Sequence, residues 1–559
     1  MNQLRATLSE RHVNMMCFSQ SVGIGLFLQN GRAIHYAGPG MATLAYILSG
    51  TIIWSAASCL GEMTALFPVK GPIFELTKRF LDQSVGYATA WLTWFGWIML
   101  IAAELVAITH MFKFEYPPEL LAQAGYPSST LSFAPNISPG VLILIFIPFI
   151  LLFNLVPVKS FGQMEYIFGT TKMMFVCVMI VLNTVIHAWN RADKGHFWTY
   201  NQPYSFAAKN ITLADGTIVN GGIAQLAGMW EAMTTSIFGL IGIETVAITA
   251  AENRDLRNAE TVKIATRKIS IRLIVLYALA TFTVGLNVPY DYPTISDPSV
   301  ISFGFAQNSA FVVSAVIARL PYWPMIINCF IIFSAMTAGI NGCYNASRTL
   351  HAIASDRQAW PECVWVQCMR SRLERTRYGC PYVAVFVSWC FGWLAFMATS
   401  HGSAVYLGRM VRTVVISILI IYGVVAVTYL EFYKCVNQAA KGGDDSLDDK
   451  DDPEVRSQYD RNSPGYPYKS HGQWLRACYA LTDISIFIFG FFVIAYQIKF
   501  HGFNPANWRR RVSRELQNPR PLVVKNDFRR GRLNLVDTYN LFTMGNLRAF
   551  SRWVWVWLK

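Results

Sequence analysis

The chain has 559 residues and a net charge of +14, and 53% of its residues are hydrophobic while only 14% are charged. Its mean hydropathy of +0.33 excludes an ordinary soluble protein of several domains and predicts a polytopic membrane protein, whose partner is the lipid bilayer. The positive charge does not indicate a nucleic-acid partner, because the basic residues gather in loops between apolar segments, as they do in membrane proteins.

Apolar stretches of about 20 residues, the length that crosses a bilayer as a helix, recur along the chain. Five are predicted in the first half, at residues 13–37, 42–67, 86–112, 140–156 and 165–187. Five more follow at residues 223–251, 273–288, 324–346, 382–398 and 411–430. The sequence therefore predicts an all-α protein with two sets of five spans, residues 13–187 and 223–430, and a further span at 477–497.

Glycine pairs interrupt the first span of each set. Gly23 and Gly25 stand in the first span, where each costs a helix about 1 kcal/mol relative to alanine, and Gly239 and Gly242 stand in the sixth. A broken helix is tolerated in a bilayer only where its freed amides and carbonyls are buried or line a cavity. Such glycines also serve close helix packing. Their recurrence in corresponding spans of the two halves favours a transporter binding site.

Loop charge predicts the orientation. The loop at residues 253–272 and the loop after the eighth span are rich in arginine and lysine, so both are expected to be cytoplasmic. Counting back places the short N-terminus, residues 1–12, inside and the stretches 113–139 and 188–222 outside. The two outer stretches each carry a glycosylation sequon, at Asn136 and Asn210.

The segment after the tenth span changes character. Residues 431–476 contain a run of aspartates around a glycine pair and are predicted to form a mobile acidic cytoplasmic loop. Beyond the span at 477–497, residues 498–559 form a polar, basic C-terminal tail in which no further span is predicted.

Short motifs spread over residues 4–496 carry a resemblance to a known family. They are Gly25-Leu-Phe, Gly38-Pro, Leu60-Gly-Glu-Met63, Ala103-Glu-Leu-Val106, Gly242-Ile-Glu244, Ala251-Glu-Asn253 and Ala346-Ser-Arg-Thr-Leu350. In them the chain resembles the fungal and bacterial amino acid permeases of the amino acid, polyamine and organocation superfamily. The resemblance implies two inverted five-helix repeats with unwound first and sixth helices, followed by one or two extra helices. It also implies a secondary transporter of amino acids, driven by protons and needing no other cofactor.

An amino acid brings a carboxylate and an ammonium group into a site of low dielectric, where leaving either unpaired costs several kcal/mol. The broken helices are expected to supply both partners, and the resemblance assigns them the same roles. Amides that suit the carboxylate lie around Ser21, Gly23 and Gly25. Carbonyls that suit the ammonium lie around Phe238, Gly239 and Gly242. Ile24 and Leu240 stand where the family usually has a threonine and an aromatic residue, which predicts a more apolar pocket.

Two acidic residues in the spans are candidates for function. Glu104 lies in the middle of the third span, where a carboxyl group is a functional candidate by default. The resemblance places it near the substrate or the proton path, and a structural, hydrogen-bonded glutamate is the alternative. Glu244 follows the break in the sixth span and is expected to be either a gate residue or a cap for freed backbone groups.

Lys172 is the most distinctive single residue. It lies within the fifth span, too deep for its ammonium to reach water easily, so it needs partners inside the protein. In related transporters a lysine at this place substitutes for a sodium ion, so the resemblance favours proton coupling. A purely structural cation is the alternative.

The leading prediction is a permease that couples amino acid uptake across the plasma membrane to protons. An amino acid sensor of the same fold is an alternative, but only 12 residues precede the first predicted span, whereas such sensors tend to carry a long N-terminal extension. A permease for another amine, such as choline or 4-aminobutyrate, also stays open. The sequence has no paired nucleophile and base and no metal-ligand spacing, so neither an enzyme nor a metal site is expected. The oligomeric state is left open.

Overall fold

The computed structural model describes residues 8–441 apart from residues 68, 113–136, 195–210, 213–217, 220, 250–251, 253–258, 291, 293–294, 296–308, 361–362 and 378. The predicted span at 477–497, the basic tail and the asparagines of both sequons therefore lie outside the described residues. All described residues belong to one compact unit.

The described part of the first half contains seven helices. In chain order these are α1 (Glu10–Ser21), α2 (Ile24–Phe27), α3 (Gln29–Leu66), α4 (Pro72–Phe80), α5 (Gln83–Phe112), α6 (Pro139–Asn154) and α7 (Val158–Lys194). Two short antiparallel strands follow, β1 (Ile211–Thr212) and β2 (Ile218–Val219), with Ile211 opposite Val219.

The described part of the second half is also helical. Its helices are α8 (Gly221–Gly239), α9 (Thr245–Ile248), α10 (Ala259–Gly285), α11 (Ala310–Ile317), α12 (Trp323–Ser355), α13 (Val364–Leu373), α14 (Tyr382–Cys390) and α15 (His401–Lys441). Short 3-10 segments lie at Arg357–Ala359 and Phe391–Thr399. Helix α15 runs to Lys441, so residues 431–441 of the predicted cytoplasmic loop are helical. Phe432 and Val436 in this extension are buried against the protein.

Helix α3 contains the turn between the first two spans. Gly38 has φ 76° and ψ 159°, which breaks the helical geometry, and Pro39 follows it without a backbone donor. The first span is therefore α1, α2 and the start of α3, and the second span is the rest of α3. A side chain at Gly38 would strain this turn, because only glycine adopts positive φ at little cost.

The architecture confirms the predicted fold class. Within the described residues, six helical stretches are long and apolar enough to cross a membrane, and two shorter apolar helices, Pro139–Asn154 and Ile269–Gly285, accompany them. The first span is interrupted between α1 and α2, and the sixth between α8 and α9. Because each half makes five crossings, the second half enters the membrane from the side opposite to the first, which gives the inverted arrangement.

Helix packing places the two interrupted spans at the centre. Helix α3 packs along α8 and α10, α5 packs along α12, and α1 packs along α7. Outward-facing apolar side chains such as Ile167 and Val181 are exposed, as expected for a surface that contacts lipid. The breaks in the first and sixth spans are therefore enclosed by continuous helices.

A buried ion pair ties the ends of three segments together. Arg348 of α12 donates to Glu252 at 3.2 Å, and its guanidinium lies 3.8 Å from the centre of the Tyr344 ring. The Tyr344 hydroxyl also donates to Glu252, and the backbone amide of Leu8 donates to the Glu252 carbonyl oxygen at 3.0 Å. The segment before α1 is thus joined to the end of the sixth span and to α12.

A second cluster joins the short helix α4 to the end of α12. Lys78 lies 2.8 Å from Glu75 and 2.7 Å from Asp356, and the Tyr87 hydroxyl donates to Asp356 at 2.7 Å. Burial acts to raise the pKa of Asp356, but the hydrogen bonds from Lys78 and Tyr87 outweigh it and hold that pKa below its ordinary value. The cluster positions the connection between the second and third spans.

Candidate functional site

The break in the first span is two residues long. Helix α1 ends at Ser21, Val22 and Gly23 leave helical geometry, and α2 begins at Ile24. A Cβ at Gly23 would lie 2.8 Å from Glu104 Oε1 and 3.1 Å from Ala338 Cβ, so only glycine fits there without displacing a neighbour. The chain can therefore bring the backbone of the break directly against the carboxyl group of the third span.

The break in the sixth span contacts the break in the first span. Gly242 has φ 120°, and a Cβ there would lie 2.5 Å from Gln20 Cγ. A Cβ at Gly25 would lie only 2.3 Å from Gly239 Cα, so the two interrupted spans touch through backbone atoms. Glycine at these places permits a close approach of two backbones that no side chain would allow.

Lys172 binds the carbonyl groups that the first break frees. Its side chain is 0% exposed, and its ammonium donates to the carbonyl oxygens of Ser19 at 2.6 Å, Val22 at 2.7 Å and Ser334 at 3.0 Å. Three donors meet three acceptors, which is the full capacity of a protonated lysine. The lysine therefore holds α1, the break and α12 together from α7.

Glu104 lies on the other side of the same break. Its carboxyl group accepts from the backbone amide of Ile24, and its charge acts on Lys172. The second oxygen, Oε2, is buried and has no hydrogen-bond partner among the described residues. An orphaned carboxylate oxygen in a low dielectric is costly, so the position suits a group that exchanges a proton.

Glu244 caps the break in the sixth span. Its Oε2 accepts from the backbone amide of Gly242 at 3.1 Å and from the Tyr422 hydroxyl at 2.7 Å. Tyr422 belongs to α15, so the contact joins the sixth span to the tenth. Of the two roles left open for Glu244, backbone capping is the one that these contacts describe.

The remaining sequence-predicted residues gather at the same place. Ser21 lies at the end of α1, where its carbonyl oxygen accepts from the Tyr277 hydroxyl at 2.6 Å and from the Gly23 amide at 3.0 Å. The Gly23 amide is thus engaged within the chain, and the Gly242 carbonyl likewise accepts from the Thr245 amide at 3.0 Å. Ile24, Phe238 and Leu240 are buried beside the breaks. The substrate contacts of these residues stay predictions.

A buried glutamate was missed by sequence reasoning. Glu165 of α7 is 1% exposed, accepts from Asn341 Nδ2 at 2.6 Å and leaves Oε1 without a partner among the described residues. Asn341 Nδ2 also donates to the Ser19 hydroxyl at 3.4 Å, and the Ser19 carbonyl oxygen accepts from Lys172, so Asn341 and Ser19 link Glu165 to Lys172. The available signal was spacing, since Glu165 and Lys172 are seven residues apart and lie on one face of the helix.

Comparison with known proteins agrees with this architecture. The family model described as amino acid permease matches residues 12–441. The chain is 26% identical over 431 residues to a probable lysine/arginine permease of Candida albicans, covering 77% of this chain and 69% of that one. It is 27% identical over 432 residues to a proline-specific permease of Emericella nidulans, covering 77% and 72%. Among solved structures, a manganese transporter of Eremococcus coleocola is similar with a TM-score of 0.44 and 11% identity over 89% of this chain and 88% of that one. The match over residues 12–441 shows that the chain belongs to the amino acid permease family.

Proposed function

We propose that this chain carries an amino acid across the plasma membrane together with a proton, with its N-terminus in the cytoplasm. The observation that carries the proposal is the position of Lys172, whose ammonium binds three main-chain oxygens at the break of the first span. The break is also where the substrate carboxylate is expected to bind. The protonation state of Lys172 is therefore linked to the shape of the break in the first span.

The strength of that link follows from hydrogen-bond counting. A neutral lysine amine has two donors, so it leaves one of the three carbonyl groups without its partner. The bond that is lost has a charged donor and is worth about 1.5–3 kcal/mol, although the Val22 and Ser334 carbonyl oxygens also accept from the Ser334 and Thr337 hydroxyls and stay paired. That is roughly a 10- to 150-fold shift between two conformations, within the range typical of coupling between binding sites. Loss of the proton from Lys172 would release the break, and with it the substrate.

Two carboxyl groups offer a route for the proton. Glu104 and Glu165 both act electrostatically on Lys172, and each has one oxygen without a hydrogen-bond partner among the described residues. Glu104 lies at the break in the first span, and Glu165 is connected to Lys172 through Asn341 and Ser19. We propose that the proton enters the site at Glu104, resides on Lys172 and leaves through Glu165.

The substrate is proposed to have an uncharged side chain. Ile24 and Leu240 flank the two breaks, both are 0% exposed, and neither offers a polar group. The relatives named above are described as lysine/arginine and proline permeases, so their names alone do not decide between substrates. Apolar lining favours a neutral side chain, because a buried cation needs a partner of opposite charge.

Uptake by the purified full-length chain in liposomes tests the proposal. Labelled amino acids are supplied with and without an inward proton gradient, in wild type, Glu104→Gln and Lys172→Met, with Lys434→Met as a control at an exposed surface lysine. The expected result is gradient-driven uptake that fails in the two site variants and persists in the control.

Other outcomes point elsewhere. Binding without uptake under either gradient would contradict transport and favour a sensor. Uptake of choline but not of amino acids would contradict the substrate class, since choline lacks the carboxylate. Uptake that ignores the gradient, or that survives Lys172→Met, would contradict proton coupling.

A further inference from the structure

Helix α13, between the eighth and ninth spans, has an apolar face that is exposed beside the part of the chain that the structure describes. Val364, Trp365 and Met369 are 81%, 85% and 56% exposed, and with Cys368 they occupy adjacent positions on one side of the helix. A helix of 10 residues is too short to cross a bilayer. An exposed tryptophan among aliphatic side chains is instead typical of a helix that lies in a membrane interface.

The opposite face of α13 is fixed to the rest of the protein. Leu373 is buried and Val366 packs against the same cluster, which includes Trp360 and Ile353. Arg370 donates to the Ala354 carbonyl oxygen at 2.8 Å. The orientation of α13 is therefore set by its own contacts, and the apolar face is held outward.

A basic pocket follows directly after α13. It has a volume of about 540 Å³ and is lined by Arg375, Thr376, Arg377, Tyr382 and Val383. Next to it, Arg377 and Cys380 exchange two backbone hydrogen bonds of 3.0 Å, and Gly379 has φ 83°. Two guanidinium groups, a threonine and a tyrosine form a set of donors that suits a phosphate group.

The pocket continues onto a lipid-facing surface. Val383, which lines the pocket, is 39% exposed, and Phe386, one turn further along α14, is 53% exposed. Trp393 is exposed two further turns along the same span. A polar pocket therefore opens directly onto an apolar strip of the length that an acyl chain would follow.

We propose that the surface formed by α13, the loop after it and the start of α14 binds an anionic phospholipid of the cytoplasmic leaflet. The phosphate lies between Arg375 and Arg377, the acyl chains lie against Val383 and Phe386, and the apolar face of α13 sits in the interface beside them. The proposal rests on the cytoplasmic orientation of this loop given above, since anionic lipids are concentrated in that leaflet. A soluble anion would not use the apolar strip, and a zwitterionic lipid would bind more weakly, because its ammonium group offsets the charge that its phosphate presents to the two arginines.

Lipid binding by the purified full-length chain in neutral detergent tests this. Phosphatidylserine and phosphatidylcholine with the same acyl chains are titrated, while the melting temperature is followed and bound lipid is counted by native mass spectrometry. Phosphatidylserine is expected to bind and to raise the melting temperature, and phosphatidylcholine is expected to do both more weakly. The double variant Arg375→Gln, Arg377→Gln should lower the apparent affinity for phosphatidylserine about tenfold or more.

The control is Arg372→Gln, which makes the same kind of substitution and removes one positive charge at an exposed position of α13 outside the pocket. It should bind phosphatidylserine as wild type does. Equal binding of both lipids, an unaffected double variant, or an equal loss in Arg372→Gln would each overturn the proposal. Equal stabilisation by glycerophosphoserine, which lacks acyl chains, would show an anion site and overturn it as a lipid site.

These measurements do not depend on transport, so they separate this proposal from the proposed function. Orientation is read independently from labelling of exposed Cys363 and Cys368 by a membrane-impermeant maleimide in right-side-out vesicles. If wild type is labelled and the double variant Cys363→Ser, Cys368→Ser is not, the loop lies outside. That result would overturn the assignment of the lipid site to the cytoplasmic leaflet.

Discussion

Replacing Gly25 by alanine should lower transport about 100-fold, because Gly25 and Gly239 bring two backbones into contact. The new Cβ would lie 2.3 Å from Gly239 Cα and 2.8 Å from Gly239 N, whereas ordinary contact begins at 3.4 Å. The two interrupted spans would have to separate by about 1.1 Å, the difference between 2.3 and 3.4 Å. Both atoms belong to backbone, so no rotamer change can absorb the overlap.

The size of the effect follows from that displacement. A shift of about 1 Å at a site can cost about 100-fold in rate, and overpacking a core typically costs about 1–3 kcal/mol of stability. Gly239→Ala should be milder, since its Cβ would meet Gly25 C at 3.2 Å. Gly96→Ala is the control, because nothing lies within 4 Å of a Cβ there.

Uptake into liposomes, normalised to the amount of folded protein, measures the series, and a melting curve reports stability separately. The expected order of activity is Gly96→Ala equal to wild type, then Gly239→Ala, then Gly25→Ala about 100-fold lower. Wild-type uptake by Gly25→Ala, or an equal loss in Gly96→Ala, would refute the reasoning from backbone contact.

Three further predictions concern charged groups. Because the pKa of Asp356 is lower in the folded protein, its contact with Lys78 should stabilise the protein above the ordinary pKa of 3.8. This stabilisation should be lost as the pH falls through the lower folded pKa. The melting temperature should therefore decline in that pH range in wild type and not in Asp356→Asn. Glu165→Gln should reduce gradient-driven uptake about 100-fold while exchange of substrate between the two sides persists, and equal losses in both assays would argue for a structural role. Arg348→Gln should destabilise the protein by about 3–5 kcal/mol in thermal unfolding, because it leaves the buried Glu252 carboxylate without its cationic partner. Adding Glu252→Gln should restore part of that loss.

The sequence could reveal the features that are local. Gly23, Gly25 and Gly242 interrupt apolar spans, and Lys172 is a cation within one, so each stands out without knowledge of its neighbours. The fold class followed from the same pattern together with the resemblance, and it is confirmed.

Features that depend on distant contacts were not accessible in this way. Glu165 and Asn341 are 176 positions apart, and only the packing of α7 against α12 places them 2.6 Å from each other. The engagement of the Gly23 amide by Ser21 likewise depends on the geometry of the break, which composition does not specify. The extension of α15 to Lys441 was not predicted because Glu431 and Lys434 end the apolar run on which the span was placed, while a helix continues as long as its backbone bonds do.

The contact between Gly25 and Gly239 also limits how such a carrier can diverge during evolution. Gly25 cannot accept a side chain while the two backbones touch, and a Cβ at Gly239 fits only if Gly25 shifts by a few tenths of an ångström. Variation is directed instead to the flanking positions, Ile24, Phe238 and Leu240, where side chains are present and buried. A family could thus keep one skeleton of glycines and explore many substrates by exchanging only the residues beside them.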